Sequence, residues 1–132
     1  MYSRKPIMLV VLAFGLSSWL FATEKTVTVE GKLVSASCYL PDKSADTTGD
    51  KMGGGEHCGS GCLEQGKPGG LLTKDNAFYI LDAPSLRLAP FVGQQIRVTG
   101  QEEGTDILSA KSVDVKKGDT WQSIDIKFRA EK

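Results

Sequence analysis

Three cysteines and the single histidine of this 132-residue chain fall in one 25-residue stretch, as Cys38, His57, Cys58 and Cys62. Thiolate sulfur and imidazole nitrogen form a Cys₃His set, a tetrahedral shell suited to zinc, and the sulfurs suit copper(I) as well. If His57–Gln65 is helical, Cys58 and Cys62 stand at i and i+4 on one face, with Cβ atoms about 5–6 Å apart. That spacing lets two thiolates share one ion, and it exceeds the ~3.8 Å Cβ separation of an unstrained disulfide. Cys38, at the end of the first predicted strand, supplies a third sulfur and His57 a nitrogen. Met52 is a further sulfur for a copper site, although a single methionine in a flexible loop is expected to be incidental.

Two other chemistries compete for the same residues. A disulfide from Cys38 to Cys58 or to Cys62 would staple the intervening loop, worth ~3 kcal/mol for closing about 20–25 residues. An odd count leaves one thiol over, to stay free, bridge to another chain or bind a metal. Thiol chemistry, as a redox sensor or exchanger, is the third possibility. The spacing is neither the twice-repeated C-x₂-C of zinc ribbons, nor the C-x-x-C-H of haem attachment, nor the C-x-x-C of thioredoxins.

The compartment bears on that choice. Residues 1–22 have the build of a secretory signal peptide: Arg4 and Lys5 are basic, Ile7 to Leu16 is apolar, and small residues lead to a cleavage point after Ala22. Even counted generously beyond those bounds, the apolar run spans roughly 16 residues, short of the ~20 that a membrane-spanning helix needs, so no integral membrane segment is expected in the mature chain. The run is not followed at once by a cysteine, so no lipid attachment is expected. The protein is therefore expected outside the cytoplasm, periplasmic or extracellular, where thiols meet oxidising conditions. Loss of Arg4 and Lys5 takes the 16 basic residues to 14 against 16 acidic ones. This balance offers no footprint for nucleic acid.

The elements that must position the thiols are short. Val27 to Ala36 alternates in polarity and reads as a half-buried strand, with Gly31 as a bulge or bend. Pro41 to Glu56 has almost nothing apolar to bury and reads as an exposed, mobile loop. A short helix over His57–Gln65 ends at Gly66-Lys67-Pro68-Gly69-Gly70. Leu71–Thr73 and Ala77–Asp82 flank Lys74-Asp75-Asn76 as a hairpin. Pro84–Val92 is an irregular or helical connector, and Gln95–Gly100 and Ile107–Val115 are two more strands. The tail, with Trp121, Ile124, Ile126 and Phe128, either adds an edge strand or docks on the body.

The order strand, cysteine-bearing insert, hairpin, connector, strand, strand predicts an all-β domain, a small five-stranded OB-like Greek-key barrel. Its parts are a barrel over residues 23–118, an insert at 38–70 between strands 1 and 2, and a tail at 119–132. The phrases Val29-Glu30-Gly31-Lys32-Leu33-Val34 and Leu86 to Gly100 (LRLAPFVGQQIRVTG) resemble small exported bacterial OB-fold proteins. Ser37-Cys38-Tyr39, His57-Cys58 to Cys62 and Gly66-Lys67-Pro68-Gly69-Gly70-Leu71-Leu72 resemble a cysteine-containing subgroup of them. The likeness covers about residues 26–116 and implies a fold and export, without an activity.

Other patterns carry less. Asp42, Asp46 and Asp50 recur every four residues, the wrong period for an EF-hand loop. Gly53-Gly54-Gly55 and Gly66-Lys67-Pro68 lack the Lys-Ser/Thr ending of a phosphate loop and read as hinges or turns. Tyr39, Phe78 and Tyr79 read as core and rim. Glu102 and Glu103 share a turn and make a poor acid/base pair. The expectation is a non-enzymatic exported module whose Cys38, His57, Cys58 and Cys62 bind zinc or copper. The alternative is an interaction module with a structural disulfide and a spare thiol, engaging a protein or small-molecule ligand.

Overall fold

Thr26–Ser35 forms β1, ten residues long, and its alternating burial hardens at the end, where Leu33, Val34 and Ser35 are all buried. In the computed structural model, which describes residues 25–55 and 58–127, β1 anchors a barrel-like ring. Its first part pairs antiparallel with β4 (Gln95–Glu103) and its last part with β2 (Gly69–Leu72). Lys32 pairs with both Gln95 and Leu72, marking the change of neighbour. β3 (Phe78–Asp82) pairs with β2, and β5 (Ile107–Lys117) with β4, both antiparallel. A parallel pairing of Ile80–Asp82 with Ile107–Ser109 then joins β3 to β5 and closes a ring of five strands.

The expected bulge at Gly31 is not there, since its register with Ile96 continues that of its neighbours. Gly31 instead serves close approach, because a Cβ there would come 2.5 Å from the Leu72 carbonyl oxygen. The irregularity falls in the β4–β5 pair, where Thr99 opposes Ser112 but Gly100 opposes Ala110, leaving Lys111 as the extra residue. A bulge there adds twist, which helps a short sheet curl into a ring.

β2 starts at Gly69, inside the stretch read as a helix stop, and the hairpin turn falls at the expected place, with Asn76 at φ 61°. The connector holds a one-turn helix α3 (Ser85–Leu88) and a 3₁₀ turn over Ala89–Phe91, and buries Leu88, Ala89 and Val92. Of the two placements expected for the tail, Thr120–Ile124 takes the first and becomes β6, an edge strand on β5 outside the ring of five. Its Trp121 ring lies 4.4 Å from the Arg97 guanidinium carbon, and Arg97 also pairs with Asp114 at 3.0 Å. The expected leader, His57 and Phe128 lie outside the described residues. Among the described residues no helix is long and apolar enough to cross a membrane.

Candidate metal centre

Each sulfur arrives on a different piece of backbone. Cys38 sits in α1 (Ala36–Tyr39), a single turn that follows β1 directly. A single turn has no stability of its own; its neighbour Tyr39 holds it, buried and stacked on Phe78 at 4.9 Å between ring centroids. Cys62 lies in α2 (Ser60–Glu64), which packs against the connector through fully buried Leu63.

Cys58 does not share the helix with Cys62, contrary to the expected i, i+4 face. The helix starts only at Ser60, because Gly59 takes φ 62°, ψ −116°. That region is open essentially to glycine alone. A Cβ at Gly59 would also overlap the Asp50 carbonyl, against which the chain is pinned by the Ser60 N–H donating to Asp50 O at 2.7 Å.

Cys58 nonetheless turns back toward Cys38. Their Sγ atoms are 2.6 Å apart, Cys38 and Cys62 are 3.6 Å apart, and all three sulfurs lie within 4.8 Å of one another. None of the three is bridged. The cluster is compatible with metal binding or with a disulfide.

The loop over residues 41–55 is turn-rich and mostly exposed, as expected, but one of its few apolar residues is buried. Met52 is 3 % exposed, belongs to the core, and accepts the Ser35 N–H on Sδ at 3.1 Å. Its burial anchors the loop over the end of β1, and it lines the same cleft as two of the thiols. This open cleft, about 340 Å³, is lined by Cys38, Cys58 and Met52 with Asp42, Asp46 and Gly54. Asp42 and Asp46 accept hydrogen bonds from the side chains and backbone N–H groups of Ser44 and Thr48. These bonds hold both carboxyls below the usual range, so they stay anionic.

Charge is shared unequally among the thiols. Burial works against ionisation of Cys38, but hydrogen bonds from Cys58, the Gly59 backbone, Ser35 and Cys62 outweigh it and pull its pKa down. The hydrogen bond to Cys38, then burial, pushes Cys58 up. Burial, then the hydrogen bond to Cys38, does the same for Cys62. Ser35 is fully buried, and its hydroxyl has no hydrogen-bond partner of ordinary geometry. It is close enough to Cys38 and Cys62 to favour their thiolates, so ionised sulfur is the acceptor available to it.

Of the residues expected at the site, Cys38, Cys58 and Cys62 come together, and His57 lies outside the described residues. Ser35, Asp42, Asp46 and Gly54 were not foreseen. For the two aspartates a signal existed, since Asp42-Lys43-Ser44 and Asp46-Thr47-Thr48 are Asx-turn patterns. Compared with known proteins, the chain matches no family model, no curated protein and no solved structure.

Proposed function

We propose that this is an exported, non-enzymatic module of OB type that binds one soft metal ion, zinc or copper(I), through Cys38, Cys58 and Cys62. The observation that carries the reading is the convergence of three sulfurs, from three separate backbone segments, to within 4.8 Å. The acidic lining of the cleft supports a cation as the ligand, because Asp42 and Asp46 remain charged beside the thiols. The buried Ser35 hydroxyl beside Cys38 and Cys62 supports thiolates as the working state, as ligating sulfurs are commonly fixed by outer hydrogen bonds. His57 is proposed as the fourth ligand on its place in the chain, next to Cys58. With the only histidine so used, no Ser/His or Cys/His pair is left for nucleophilic chemistry, which supports binding over catalysis.

The OB assignment is supported by the closed ring of five strands and by the helical connector between β3 and β4. Export, to the periplasm or beyond, is supported by residues 1–22, and a mature charge near −2 speaks against nucleic acid as partner. A second reading rests on the 2.6 Å contact of Cys38 with Cys58, closer to a disulfide than the 3.6 Å contact of Cys38 with Cys62. In it, those two thiols form a staple, Cys62 is spare, and the module engages a protein or small ligand.

Elemental analysis and a free-thiol count on protein purified without added metal decide between the two. One metal per chain, lost in Cys62→Ser and weakened in His57→Ala, is the expected result. One free thiol, no metal and a mass lower by two hydrogens would establish the staple instead.

A further inference from the structure

We propose that Cys38 and Cys58 are a redox couple, and that closing their disulfide expels the metal; this rests on the metal reading above. The two states need different sulfur spacings. Around a tetrahedral ion with bonds of ~2.3 Å the sulfurs stand roughly 3.7–3.8 Å apart. A disulfide holds them at ~2.05 Å. The Cys38–Cys62 contact of 3.6 Å already suits a shared ion, whereas Cys38–Cys58 at 2.6 Å stands between the two spacings. The Cys38–Cys58 pair is therefore nearer the disulfide spacing than the shared-ion spacing, and the Cys38–Cys62 pair is set for ligation.

Access points to the same pair. Cys38 and Cys58 line the open cleft, while Cys62 is 4 % exposed behind them. An oxidant arriving from solvent reaches Cys38 or Cys58 before Cys62. Cys58 is also followed by Gly59 and faces Gly54, and the missing side chain at Gly54 leaves room beside its sulfur that a Cβ would fill.

The oxidant is a low-molecular-weight disulfide, RSSR. The Cys38 thiolate attacks one of its sulfurs, forming a mixed disulfide and releasing one RS⁻. The Cys58 thiolate then attacks the Cys38 sulfur, forming the Cys38–Cys58 bond and releasing the second RS⁻. Two thiolates are oxidised and one external disulfide is reduced to two thiols. Two of the three sulfur ligands are consumed, and Cys62 alone retains a thiol. The ion leaves as its cation past Asp42 and Asp46. Reduction by an excess of RSH reverses each step.

The test loads the reduced full-length protein without oxygen, one sample with Zn(II) and one with Cu(I), then adds glutathione disulfide. Metal retention, intact mass and the bridge position by peptide mapping are read together. The expected result is a Cys38–Cys58 bridge with Cys62 still alkylatable after unfolding. Metal affinity falls at least 100-fold and returns with reductant, and Cys58→Ser shows no such bridge. A bridge that leaves the metal bound, or metal binding with no Cys38–Cys58 bridge, overturns the redox proposal and leaves the metal reading standing. A reduced protein that holds neither metal overturns the metal reading and this one with it, and any mapped bridge is then the structural staple.

Discussion

Cys38 and Cys58, 20 residues apart in the chain, place their sulfurs 2.6 Å from each other at the rim of an open cleft, with Cys62 behind Cys38. Cys38 is the shared member, in contact with both other sulfurs. It follows a buried strand end, while Cys58 hangs on a turn set by Gly59. The centre thus joins a fixed sulfur to an adjustable one.

Gly54 tests that joint directly. A Cβ there would stand 2.6 Å from the Cys58 sulfur and 2.7 Å from its Cβ. Gly54→Ala is expected to displace Cys58 and to weaken metal binding by at least 10-fold. Far-UV circular dichroism should be unchanged, because the clash touches no strand. Wild-type affinity in a competition titration would show that Cys58 is not held where metal binding needs it.

The reduced, metal-free protein should show ordered thiol reactivity. Cys38 ionises below the ordinary thiol value and the other two above it, so as pH rises Cys38 loses its proton first. The thiolate is the species that reacts. Iodoacetamide labelling at neutral pH, followed by peptide mapping, should mark Cys38 before Cys58 and Cys62. Ser35→Ala should push the midpoint of Cys38 upward, since one hydrogen bond to its thiolate is lost.

Leu63 is the peg that seats α2. It is fully exchanged from solvent into the core beside Leu33 and Leu88. Leu63→Ala should cost about 2–5 kcal/mol in urea unfolding, the usual range for a buried leucine. Native-state alkylation of Cys62 should rise as well, because the helix that carries it loosens.

Arg97 joins the edge strand to the barrel through Trp121 and Asp114. Both contacts are partly exposed, so screening keeps the ion pair within ~0–1 kcal/mol. The ring contact is worth ~0.5–1 kcal/mol. Arg97→Ala should lower stability by about 1 kcal/mol and shift indole emission to the red, with metal binding unaffected.

Much of the strand layout was legible in the residues, because period-two alternation is a local property of the chain. Val27 to Ala36, Gln95–Gly100 and Ile107–Val115 all became strands near their expected bounds, and Lys74-Asp75-Asn76 became the hairpin turn. The clustering of three cysteines was also visible, as composition and spacing alone. Tertiary structure decided the rest. The parallel pairing of Ile80 with Ile107, which closes the ring, joins residues whose own sequences carry no sign of each other. Met52 looked incidental in a polar loop, and only the buried end of β1 gives its sulfur a place. The i, i+4 face expected for Cys58 and Cys62 failed because Gly59 turns the chain before the helix starts. What brings Cys58 to Cys38 is packing between distant segments, a free energy that no local pattern encodes.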